Sequence, residues 1–123
     1  MEKIDLLITL THDEDNENNV TLAFQMGMMA LSKGHKVAIT LLSHAVALAK
    51  KGYGEKIDIG APFKPVGELI PAFLREGGKL KVCSACMEHN GVKAEDLYEE
   101  AEIIKADDVI ELLMTSEKSL QLN

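Results

Sequence analysis

IDLLITL, residues 4–10, is a nearly unbroken apolar run only seven residues long. A strand with one wet face alternates polar and apolar side chains. A short continuous run marks a strand covered on both faces, as in a parallel sheet flanked by helices. Outward from it, THDEDN (11–16) is a polar loop. From Asn18 to Lys33 the residues Val20, Ala23, Gly27, Ala30 and Leu31 recur at helical spacing until Gly34 stops them. HKVAITLL (35–42) is β-branched and apolar, a second strand. Ser43 is placed to cap a helix through Lys51 before Gly52. The unit is β-α-β-α.

YGEKIDIGAPFKP (53–65) carries two glycines and two prolines and is expected to be a long loop, a candidate lid. A helix over 66–76, interrupted or kinked near Pro71, should end at Gly77-Gly78, and KLKV (79–82) forms a third strand. Cys83 and Cys86 follow at the start of a short helix that Gly91 closes. Residues 101–104 form a brief fourth strand, Asp107 or Asp108 caps a helix through Met114, and SLQL (119–122) is a final strand. Repeated βα units predict an α/β protein, a three-layer α/β/α sandwich around a mostly parallel sheet of about five strands, with residues 1–123 as one domain.

The composition, 46% hydrophobic and 27% charged over 123 residues, fits a globular protein, and no apolar run approaches the roughly 18 residues of a membrane-spanning helix. Asp5 interrupts what would be the apolar core of a secretory leader, so a cytoplasmic address is expected. There thiols stay reduced, which favours chemical over structural roles for the two cysteines. A net charge of −7 argues against nucleic acid and anionic membranes as partners.

In open parallel sheets, chemistry gathers beyond the carboxyl ends of the strands. Three turns lie there: Thr11-His12-Asp13, Ser43-His44, and Cys83-Ser84-Ala85-Cys86. Singly, Thr11, Ser43 and Ser84 read as caps or turn residues and His12 and His44 as solvated side chains. The thiols are harder to explain away. At the N-cap of the short helix, Cys83 would meet unpaired N–H groups that favour its thiolate, whereas Cys86, about one turn further in, would be less favoured. An attacking Cys83 and a resolving or assisting Cys86 follow. The plain alternative is that both are small buried hydrophobes.

The segment LREGGKLKVCSACMEHNGV (74–92) resembles the DsrE/DsrF-like (TusD-like) family of small sulfur-relay proteins: a helix ending in Gly, a short strand, a cysteine at its end, a short helix, then Gly-Val. SKGHKVAITLL, the first strand with its polar turn, and the closing ADDVIELL and SLQL segments fit the same outline. The resemblance implies a Rossmann-like domain that assembles into oligomers, with sulfur carried as a persulfide on Cys83. Such a protein takes sulfur from a donor protein, passes it to an acceptor protein thiol, and requires no cofactor. His12, His44 or His89 would assist proton transfer, with Ser43 and Ser84 nearby.

Two other functions fit the residues. Cys83 and Cys86 could cycle as a thiol–disulfide oxidoreductase, although Ser84-Ala85 is not a thioredoxin-type spacer. They could also join His12, His44 or His89 in a zinc or interaction module, but neither a second C-x-x-C nor an H-x₃₋₅-H pair completes the usual spacing, and no metal is expected. The first helix is apolar nearly all round, with Leu22, Phe24, Met26, Met28, Met29 and Leu31 surrounding Thr21, Gln25 and Ser32. The sheet covers one face only, so a homo-oligomer (dimer, trimer or hexamer) is expected, or else burial under the loop that begins at Tyr53.

Overall fold

The computed structural model describes residues 2–123. Five strands, β1 (Leu6–Leu10), β2 (Val37–Leu41), β3 (Lys79–Cys83), β4 (Glu102–Ile104) and β5 (Lys118–Leu122), form one sheet in the order β4-β3-β2-β1-β5. Every neighbouring pair is parallel, so all carboxyl ends lie on one edge. The apolar run of β1 lies inside the sheet, between β2 and β5, and its two faces enter the two clusters that the helices cover. Alternate residues serve opposite faces. Ile8, Leu10, Ile39, Leu41, Leu80 and Val82 join one cluster, and Leu7, Ala38 and Ile104 the other.

The first face is covered by α1 (Glu17–Ser32) and α2 (Val66–Arg75), through Val20, Ala23 and Phe24 of the one and Ile70 and Phe73 of the other. The two helices are keyed by Phe24 and Phe73, whose rings meet edge-on at 5.9 Å. The opposite face is covered by α4 (Ala106–Thr115), through Val109 and Leu112. Its connection carries the chain from β4 at one edge to β5 at the other. The short α3 (Ser84–Asn90) follows β3 directly. Three layers around a parallel sheet is the expected architecture.

Local differences have local causes. Residues Ser43–Ala49 form a 3-10 helix, not the α-helix expected through Lys51, and Ser43 does not cap it. Its buried residues are Ala45, Val46, Leu48 and Ala49. A repeat of three residues per turn stacks 45 over 48 and 46 over 49, whereas an α-helix would rotate them apart. The last helix is capped from inside: Asp108 accepts the backbone N–H of Lys105 at 2.9 Å, so neither Asp107 nor Asp108 is the N-cap residue. α2 runs unbroken through Pro71. α1 starts behind Asn16, whose side chain accepts the Asn19 N–H at 3.0 Å.

The segment after Gly52 is anchored at several points. A 3-10 turn spans Tyr53–Lys56, Ile57 is buried in the core, and Lys56 reaches Glu14 at 3.2 Å. The apolar girdle of α1 divides. Val20, Ala23, Phe24 and Gly27 face the core, while Met26 and Met29 stand 44% and 50% exposed. α4 likewise exposes Ile110 and Met114, a ridge at i, i+4 that its sequence pattern did not suggest. Among the described residues no helix is long and apolar enough to cross a membrane.

Candidate functional site

Because the sheet is wholly parallel, the turns after β1, β2 and β3 share one edge. Cys83 ends β3 and is the N-cap residue of α3, 5% exposed. Ser84 opens the helix, half-buried, and Cys86 follows in the same turn, also half-buried and therefore the more accessible thiol. Burial pushes the Cys86 thiol above its ordinary pKa and the neighbouring Cys83 sulfur adds to the rise, while the backbone N–H of Ser43 draws it down. No disulfide joins them.

The Ser43–His44 turn, at the end of β2, packs against α3. Ser43 has φ of 54°, in the left-handed region that costs a non-glycine residue about 1 kcal/mol or more. A single side chain bridges this turn to α3. Asn90 Nδ2 donates to the Cys86 carbonyl at 2.8 Å and to the Ser43 carbonyl at 3.3 Å, and its Oδ1 lies 3.2 Å from His44 Nδ1. In sequence, Asn90 before Gly91 reads as a helix stop. Only the packing of α3 on the turn reveals its second role.

The turn after β1 forms a separate cluster. His12 pairs with Asp15 at 2.7 Å, which raises its pKa above 6.5. Asp13 receives the phenol O–H of Tyr53, and its other oxygen is buried without a partner. Burial raises the Asp13 pKa, against the lowering effect of that hydrogen bond. Lys50 and Lys56 lie over the Tyr53 ring, at 4.7 and 3.8 Å from its centre. A shallow cleft of about 310 Å³, lined by Asp13, Glu14, Asp15 and His44, separates this cluster from the Ser43–His44 turn.

Of the residues singled out by sequence, Cys83, Cys86, Ser43 and His44 therefore come together. His12 lies beyond the cleft, paired with Asp15. Thr11 is half-buried, Ser84 opens the helix, and His89 stands exposed in its last turn. Asn90 and Tyr53 carry no signal in the sequence that marks them for this edge, and Asp13 enters it only as part of the turn after β1. Among the described residues, no three His, Cys, Asp or Glu side chains come together as metal ligands.

Comparison with known proteins shows the family and the fold. The family model described as DsrE/DsrF-like matches residues 5–122. The uncharacterized proteins MJ0760 and MJ0989 of Methanocaldococcus jannaschii are 32% and 33% identical over 105 and 95 residues, 85% and 77% of this chain. The chain spans 38% of the length of MJ0760 and 79% of MJ0989. Among solved structures, the YchN protein of E. coli superposes with a TM-score of 0.68 at 17% identity, covering 98% of this chain and 99% of that one. MTH1491 of Methanobacterium thermoautotrophicum, a protein of unknown function, does so at 0.71 and 11%, with the same coverage. These two likenesses are of fold.

Proposed function

Since the chain belongs to the DsrE/DsrF-like family, whose members are generally sulfur-relay proteins working with partner proteins, we propose that it is a sulfur carrier using the Cys83 and Cys86 pair. The observation that carries this reading is the second thiol. The resemblance assigns the family's strand-end cysteine to Cys83, and Cys86 stands three residues on, in the first turn of the helix that Cys83 begins. The Cys83 thiolate attacks the outer sulfur of a donor persulfide. The donor leaves as a thiolate, and sulfane sulfur is held as Cys83–S–SH. An acceptor thiolate then attacks that outer sulfur and Cys83 leaves, so no net oxidation occurs and no cofactor is needed. Cys86, the more exposed thiol, acts after Cys83: it can take the sulfur over from Cys83 or release it by forming a disulfide with Cys83.

The test is the intact mass after incubation with a sulfane-sulfur donor. The wild type should gain one sulfur and Cys83→Ser should lose most of that gain. An unmodified wild type, or an undiminished adduct on Cys83→Ser, overturns the reading. A second reading, a thiol–disulfide oxidoreductase, is favoured by the same proximity. It requires catalytic turnover of a disulfide substrate that stops in both Cys83→Ser and Cys86→Ser.

The assembly we propose is a homo-oligomer through the exposed Met26 and Met29 ridge of α1. Sedimentation of Met26→Lys/Met29→Lys should show a smaller species than the wild type. Equal sedimentation of the two rejects that face.

A further inference from the structure

Asn90 stands where the two elements bearing the site meet, and its chemistry allows only one orientation. Its Nδ2 faces two carbonyl oxygens, those of Cys86 and Ser43, and carbonyls only accept. Turning the amide over would set its own oxygen against both. Oδ1 therefore faces His44 Nδ1 at 3.2 Å, and His44 must donate from that nitrogen. A neutral imidazole protonated at Nδ1 carries its lone pair on Nε2. The side chain of Asn90 is thus used in full: both N–H groups hold backbone and its oxygen holds a tautomer.

We propose that Asn90 is the positioning residue of the thiol site, clamping the strained Ser43–His44 turn onto the helix that carries Cys86 and holding His44 as its Nδ1–H tautomer with Nε2 free as a proton acceptor. The clamp explains how Ser43, without a glycine's freedom, keeps φ at 54° on an exposed turn. It also fixes the Ser43 carbonyl against the helix turn that carries Cys86, and the Ser43 backbone is the neighbour that draws the Cys86 pKa down. The groups acting on Cys86 are the Cys83 thiol from β3 and the Ser43 amide from the turn. Asp13, Glu14 and Asp15 line the cleft beside His44. Asn90 touches none of the reacting sulfurs through its side chain in this arrangement and acts through its neighbours. That it serves sulfur chemistry rests on the relay function above, but the clamp itself does not.

The experiment is alkylation of Cys86 with iodoacetamide across pH in Cys83→Ser, alone and combined with Asn90→Ala or Asn90→Asp, together with nitrogen-15 NMR of the histidines in the wild-type chain and in both Asn90 variants. The wild type should show neutral His44 as the Nδ1–H tautomer. Asn90→Ala should raise the alkylation midpoint by about one pH unit, slow alkylation at neutral pH about tenfold, and release His44 to a tautomer mixture. Asn90→Asp keeps an acceptor for His44 but loses both donors, so it should preserve the tautomer and still raise the midpoint. A wild-type His44 protonated on Nε2 overturns the proposal whether or not the variants fold. So does an Asn90→Ala chain that folds and leaves both midpoint and tautomer unchanged. Because iodoacetamide needs no sulfur donor, failure of the relay function leaves this result readable.

Discussion

The phenol of Tyr53 donates its proton to the carboxylate of Asp13, tying the segment after the 3-10 helix to the turn after β1. Removing the hydroxyl in Tyr53→Phe would take from the part-buried Asp13 carboxylate its side-chain donor, beside an oxygen already buried without a partner. The expected cost is about 1–2 kcal/mol at neutral pH. The sign with pH follows from Asp13. Its raised pKa means the folded state resists ionisation, and losing Tyr53 raises it further. The cost is therefore full above the folded pKa and fades as pH falls and Asp13 takes up its proton. Urea unfolding of both proteins at pH 7 and pH 4 measures this; equal differences at the two values would refute it.

Gly78 lies against the Phe73 ring so closely that a Cβ there would overlap it. Phe73 is fully buried and keyed to Phe24, so it has no free space to move into. Gly78→Ala should destabilise the chain by about 1–3 kcal/mol through overpacking, seen as a lower midpoint in thermal unfolding. An unchanged midpoint would mean that the α1–α2 contact is looser than described.

The two thiols should react in a fixed order. Cys86 is half-buried and Cys83 buried, so a small alkylating reagent should modify Cys86 first, with a midpoint above 9.0, the ordinary value for the group. Cys83→Ser removes a neighbour that raises the Cys86 pKa, so the midpoint should fall. Peptide mapping after partial alkylation reads the order. A midpoint unmoved by Cys83→Ser would show the sulfurs to be independent.

His12 gains stability from Asp15 in its charged form. A histidine whose folded pKa lies above its unfolded value of about 6.5 adds stability that is fully present below that value and is lost as pH rises through the folded one. The His12 proton resonances should titrate above 6.5 and shift down in Asp15→Asn. The stability difference between the two proteins should be largest below pH 6.5 and should shrink as pH rises through the folded His12 pKa. A variant that titrates with the wild type would exclude the pair.

The sequence alone determined the order and type of almost every element, because hydrophobic period is a local property. IDLLITL could only be a doubly covered strand, and the glycines at 34, 77 and 91 closed their helices wherever the rest of the chain lay. It also determined which turns carry thiols and imidazoles. What it could not determine was how those turns pack. The helical pitch of Ser43–Ala49 was set by which of its alanines the core would bury, a tertiary demand that outweighed the usual preference for an α-helix. The clamp from Asn90 to Ser43 and His44 joins residues nearly fifty positions apart, and the bond from Tyr53 to Asp13 spans forty. Side-chain hydrogen bonds of that kind leave no period in the sequence. They form only when the parallel sheet brings the carboxyl ends of β1, β2 and β3 to one edge, and there the tertiary structure chose the neighbours of Cys83 and Cys86.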